Sequence, residues 1–178
     1  MDRSPFPTER KKLQNRKRMR LKEFDYSQSG YYFVTICIKN RREFFSEIVG
    51  AKSVLNEFGK IIDEVWNNLP KYYKVILDYY VIMPDHIHAI IILDNTITLE
   101  GENENHQKSL SDIIGKFKSF TTKRIRQLLE NKYEFEWQKS FFDRIIRNEK
   151  ELYNIRSYIQ NNPLKWEIEK DYPQNIEM

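Results

Sequence analysis

The stretch Tyr79-Tyr-Val-Ile-Met-Pro-Asp-His-Ile-His-Ala-Ile-Ile-Ile-Leu93 decides how this chain is read. It reads as a strand, a tight corner at Met83-Pro84-Asp85, and a second strand. Strand side chains alternate faces with a period of two, so His86 and His88 project from the same side. Two neutral imidazoles on one face can bind a divalent metal, and the flanking Val, Ile and Leu suit burial in a sheet.

Upstream, turn residues Asp25-Tyr-Ser-Gln-Ser-Gly30 precede an apolar strand over 31–38, which the basic turn Lys39-Asn-Arg-Arg42 closes. Phe44-Phe45 resumes that strand briefly. From Ser53 the period changes: Val54, Phe58, Ile61, Ile62, Val65 and Leu69 recur at helical spacing, with Ser53 as cap and Pro70 as stop. The central strand pair is expected over 75–83 and 86–93. Downstream, 94–108 is a polar loop rich in Asn and Glu, and His106 within it reads as an exposed residue.

A second helix opens at Ser109, with Leu110, Ile113, Ile114, Phe117, Thr121, Ile125 and Leu128 as its apolar stripe. Its other face is basic, with Lys116, Lys118, Lys123, Arg124 and Arg126. Aromatic and β-branched residues predict a strand over 136–146. Asn148 and Glu151 have the spacing of a capping box. The helix they open buries Leu152, Ile155 and Ile159 and is expected to end near Asn161, because Pro163 disfavours helical geometry at Asn162. Tyr158 and Asn162 lie four residues apart on one face of it. The order β-α-β-β-α-β-α predicts an α+β sandwich of ferredoxin-like or RRM-like kind, an antiparallel sheet with helices on one face.

At 178 residues the chain suits one domain, read as 24–166 between a basic arm at 1–23 and a tail at 167–178. The net charge of +4 is concentrated in the arm, where Arg10, Lys11, Lys12, Arg16, Lys17, Arg18, Arg20 and Lys22 crowd together. Such an arm suits phosphate backbones. Arg41 and Arg42 in the basic turn, with Lys116 and Lys123 on the second helix, complete the candidate DNA-binding set. No apolar run has the length of a membrane span, and no leader resembles a signal peptide. One cysteine, Cys37, excludes an internal disulfide and points to a cytoplasmic protein.

Four elements then carry a resemblance: Tyr32-Phe-Val-Thr35, Met83-Pro-Asp-His-Ile-His88, Trp137-Gln-Lys-Ser-Phe-Phe-Asp143 and Tyr158-Ile-Gln-Asn-Asn-Pro163. Together, in this order, the sequence resembles the REP-associated tyrosine transposases, within the single-tyrosine branch of the HUH (His-hydrophobe-His) nucleases. The resemblance implies cleavage and rejoining of single-stranded DNA near hairpins through a 5′-phosphotyrosine intermediate. It makes Tyr158 the nucleophile, His86 and His88 the ligands of Mg²⁺ or Mn²⁺, and Asn162 the third ligand where classical relatives carry glutamine. Tyr153 is the rival tyrosine, off the Asn162 face, and Asp85 either joins the metal or stabilises its turn. The resemblance leaves monomer and homodimer open and places the protein in the prokaryotic cytoplasm, on the nucleoid when DNA-bound. The reading from another class is a non-catalytic module that binds single strands on its sheet by stacking and phosphate contacts.

Deleting residues 1–23 is expected to weaken binding to a hairpin oligonucleotide and flatten its salt dependence. Fluorescence anisotropy across a salt series checks this, and an unchanged affinity and slope would refute it.

Overall fold

The computed structural model describes residues 25–98, 108–130 and 134–171. The basic arm with Arg16, Lys17, Arg18, Arg20 and Lys22 lies outside the described residues, as does His106. The elements in chain order are β1 (Gly30–Cys37), β2 (Ser46–Val49), β3 (Lys52–Leu55), α1 (Glu57–Asn67), β4 (Val75–Ile82), β5 (His86–Leu93), α2 (Leu110–Leu128), β6 (Phe142–Ile146) and α3 (Glu149–Asp171). The main sheet has four strands in the order β4-β5-β1-β6, all antiparallel, and β2 and β3 form a separate hairpin. This is the expected α+β sandwich, with α1 and α2 packed on one face of the antiparallel sheet and α3 added on the other.

Alternation along the central strands separates two layers. Tyr32, Val34 and Ile36 of β1, with Ile87, Ala89 and Ile91 of β5, face α1 and α2 in the main core. There Trp66 of α1 meets Phe117 of α2 edge-on, with ring centroids 5.3 Å apart. On the opposite face Phe33, Ile90 and Ile146 form a smaller apolar cluster with Ile155 and Ile159 of α3. Each such fully buried aliphatic or aromatic side chain is worth about 1.5–3 kcal/mol. α3 therefore lies on the side of the sheet that carries the even-numbered residues His86 and His88.

Three boundaries differ from the sequence reading. Ser53 does not cap a helix: it sits in β3, and its hydroxyl donates to the Ile82 carbonyl. The cap is Asn56, whose Oδ1 accepts from Gly59 N at 3.0 Å. Val54 belongs to the hairpin, which turns at Gly50 and Ala51 with φ of 55° and 58°. Positive φ at both central residues is the geometry of a tight two-residue hairpin turn.

The strand expected over 136–146 is shortened to β6. Trp137 makes only an isolated bridge to Ile38 and points its ring into the main core. The irregular segment after it is held by Lys118, whose Nζ donates to the carbonyls of Gln138 and Ser140. α2 begins as expected after Ser109, closed by a capping box with Asp112. At α3, Asn148 Oδ1 accepts from Glu151 N at 2.9 Å, while the Glu151 carboxylate reaches back to the amide of Arg147.

The third difference is that α3 runs through Pro163 to Asp171. An interior proline costs about 3 kcal/mol, because it removes one helical hydrogen bond and crowds the preceding turn. Tertiary contacts beyond Pro163 oppose that cost. Glu167 accepts from Ala51 N at 2.9 Å, Lys170 pairs with Glu43 at 3.2 Å, and Trp166 packs near His86. On the other side of the proline, Arg156 forks onto the Asp78 carboxylate, with its shortest contact at 2.6 Å. Among the described residues no helix is long and apolar enough to cross a membrane.

Two glycines separate packing from propensity. A Cβ on Gly59 would meet the Phe45 carbonyl oxygen at 2.2 Å, whereas one on Gly115 meets nothing within 4 Å. Gly59→Ala is expected to lower stability by about 1–3 kcal/mol. Gly115→Ala is expected to raise it by about 0.5–1 kcal/mol. Urea denaturation of both variants checks the pair, and a stabilising Gly59→Ala would contradict the packing described.

Candidate active site

The antiparallel register sets His88 opposite Thr35 and His86 opposite Cys37. Both imidazoles are buried, at 4% and 6% exposure, on the face covered by α3. Their Nε2 atoms converge to 2.9 Å. Tyr158 of α3 brings its hydroxyl to 3.2 Å from His88 Nε2. Phe33 forms the floor: its ring stacks on His88 and meets Tyr158 edge-on.

The outer ring nitrogens have partners of their own. His86 Nδ1 bonds the Asp85 carboxylate, and His88 Nδ1 lies 2.8 Å from Thr35 Oγ1. With protons on both Nδ1 atoms, both Nε2 lone pairs point at the same place. Lone pairs that close repel, and a cation between them removes the repulsion. Two nitrogen ligands at about 2.1 Å and right angles around an ion would be about 3 Å apart, which matches the observed spacing. Burial, with His86 and Arg41 adding to it, pushes the His88 pKa down to about 3, so this ring is neutral near pH 7. A neutral imidazole is the form that ligates a metal.

These side chains border one solvent-open cavity of about 200 Å³, lined by Thr35, Arg41, His86, His88, Tyr158, Asn162, Lys165, Trp166 and Glu169. Asn162 is buried at 7% exposure, one turn after Tyr158, so the expected set of Tyr158, His86, His88 and Asn162 meets in one place. Among the described residues no three His, Cys, Asp or Glu side chains are grouped to hold a metal. Any ion here would therefore draw its remaining ligands from an amide, water or a bound anion.

Asp85 does not project as a further ligand. It is 2% exposed, and its carboxylate spans His86 Nδ1 on one oxygen and Arg41 Nε, at 2.7 Å, on the other. This is the arrangement in which a carboxylate fixes the tautomer and orientation of a ligating histidine. Tyr153, the rival tyrosine, is 72% exposed and does not line the cavity.

Arg41 lines the cavity; Arg42 instead pairs with Glu134 at 2.9 Å and covers the Phe44 ring. Lys116 and Lys123 stand exposed on α2, across the sheet from the histidines. Lys165, Trp166 and Glu169 lie beyond Asn161, where Pro163 predicts the helix to end, so the sequence does not mark them as site residues. Their signal was helical spacing from Tyr158 and Asn162, which places them on the same side of a helix that continues.

The family model described as "Transposase IS200 like" matches residues 26–162. A Haemophilus influenzae protein of uncharacterised function is 32% identical over 173 residues, covering 90% of this chain and 94% of that one. A second protein from Haemophilus influenzae, provisionally named a REP-associated tyrosine transposase, is 26% identical over 156 residues, covering 84% and 80%. Among solved structures, a REP-associated tyrosine transposase bound to a REP hairpin shares the fold, with a TM-score of 0.57 and 22% identity over 83% of this chain and 74% of that one.

If the two Nε2 atoms bind an ion, His86→Ala should abolish Mn²⁺ binding measured by calorimetry. Asp85→Asn should weaken it about 10–100-fold by releasing the ring orientation. Equal affinity for Mn²⁺ in wild type and His86→Ala would rule the pair out as a metal site.

Proposed function

Because the chain belongs to the IS200-like transposase family, and is similar to REP-associated tyrosine transposases, we propose that it cuts and rejoins single-stranded DNA with Tyr158 as nucleophile. The observation that carries this reading is the Tyr158 hydroxyl 3.2 Å from His88 Nε2, which itself lies 2.9 Å from His86 Nε2. Eleven tyrosines occur in the chain, and a tyrosine merely bordering the core has no need of that position.

In the proposed step the Tyr158 oxygen attacks the phosphorus of a phosphodiester. The Tyr158 O–P bond forms, the P–O3′ bond breaks, and the strand leaves with a free 3′-hydroxyl. The phenolic proton passes to water in the open cavity, and the leaving oxygen takes up another. The ester to tyrosine conserves the bond energy, so rejoining needs no nucleotide cofactor.

Mg²⁺ or Mn²⁺ held by His86 and His88, with Asn162 beside them, would supply positive charge against the phosphate oxygens as charge builds in the transition state. The chain's own residues do the remaining work. Thr35 and Asp85 hold the imidazole tautomers, Phe33 fixes the rings, and α3 sets the tyrosine. Tyr158 is 42% exposed, so a strand can reach it without opening the core. Tyr158, His86, His88 and Asn162 line the same cavity. A hairpin-bearing single strand is the proposed partner, with the basic residues of the arm and turn on its phosphates.

Tyr158→Phe is expected to abolish nicking and the covalent protein–DNA adduct while leaving DNA affinity within about twofold of wild type. A labelled hairpin oligonucleotide with Mg²⁺ or Mn²⁺, resolved on a denaturing gel, reads both products. Cleavage that survives the substitution would refute the assignment. Binding without any cleavage by wild type would favour the non-catalytic single-strand module.

A further inference from the structure

Arg41 reaches the cavity from a backbone that arginine rarely adopts. Its φ is 54°, directly after Asn40 at 62°, so two successive non-glycine residues occupy the left-handed region. Asparagine tolerates that region, whereas arginine gains nothing from it locally. Such strain persists only where the surroundings over-determine it, and it gathers at ligand clamps. Here the surroundings are identifiable: Arg41 Nε meets Asp85 Oδ2 at 2.7 Å, and Nη1 donates to Cys37 Sγ at 2.8 Å.

A buried carboxylate needs a counter-charge, and that need explains an ion pair to Asp85. It does not explain the strained turn or the shape of the group. A guanidinium is a rigid fork that can bind on two edges at once. Nε is pinned to Asp85 and Nη1 donates one proton to Cys37 Sγ, which leaves Nη2 and the second Nη1 proton as the open edge. The rest of the group lines the cavity beside His86 and His88, and 48% of the side chain is exposed. Lys165, the other cation lining the cavity, is already engaged by Glu169 at 3.5 Å.

We propose that Arg41 grips the phosphate that Tyr158 attacks, its open edge binding the non-bridging oxygens while its Nε edge holds Asp85 and, through it, His86. The proposal rests on the reading of Tyr158 as nucleophile and adds a phosphate grip that works without metal. The grip forms no covalent bond and moves no proton. An arginine can satisfy phosphate oxygens bidentately in a way that lysine cannot.

The test measures binding in the Tyr158→Phe background, in EDTA, by anisotropy of a labelled single-stranded hairpin oligonucleotide across a salt series. Arg41→Gln is expected to weaken binding about tenfold and to lower the salt slope by about 0.7, the share of one phosphate on a single strand. Arg41→Lys restores the charge without the fork, so it should keep the slope and bind several-fold more weakly. Wild-type affinity and slope in both variants, at unchanged melting temperature, would overturn the proposal. If Arg41→Gln does not fold, Arg41→Lys decides: wild-type affinity overturns the grip, and a several-fold loss at native melting temperature supports it. The two readings fail separately. Arg41-dependent binding in this background, with no nicking by wild type in the gel assay with Mg²⁺ or Mn²⁺, sinks the nucleophile, whereas nicking by wild type with Arg41→Gln binding unimpaired sinks the grip.

Discussion

β1 and β5 pair antiparallel over eight residues, and that register is the constraint on which the site depends. Because strand side chains alternate, one register places Ile87, Ala89 and Ile91 in the main core and His86 and His88 on the other face. A slip of one residue would exchange them, burying both imidazoles among Phe117 and its neighbours. The apolar cost of that exchange locks the register, so the large core on one face positions the polar pair on the other. The second face then needs its own cover, which α3 supplies.

That cover is thin. The cluster beneath α3 has few buried apolar members, so the helix relies on polar tethers at separate points. Arg156 on Asp78 fixes the part before Pro163, and Glu167 and Lys170 fix the part after it. Exposed ion pairs are each worth at most about 1 kcal/mol, but the Asp78 carboxylate is nearly buried and held by a forked arginine. A helix held this way can present Tyr158 and Asn162 to the sheet while leaving solvent access to the cavity between them.

Asp85, His86, His88 and Asn162 are buried, which is costly for polar groups unless each has a partner. Asp85 meets that requirement twice over, spanning His86 and Arg41. One carboxylate thus fixes a ring tautomer and a guanidinium together. Replacing it by an apolar residue would leave a charge and an imidazole without their partners, so its place is set by electrostatics rather than shape.

Much of this was legible in the linear chain. The period-two alternation and turn residues located β1, β4 and β5, and helical spacing located α2 and the buried stripe of α3, because those signals are local. The four motifs pointed to the family, and the family model and relatives agree with them. The β2–β3 hairpin was missed because its strands are four residues each and its turn carries a single glycine. The continuation past Pro163 was missed because local geometry argues against it, and distant partners at Ala51 and Glu43 outweigh that argument. By itself the sequence determined which residues alternate, which cap and which stripe is apolar. Only the tertiary structure decided that Tyr158 meets His88 in the cavity that His86 also lines, that Asp85 turns to Arg41, and that Lys165 and Trp166 join them. Those meetings join residues far apart in the chain, and no periodicity encodes them: they follow from which faces the folded core leaves for polar groups.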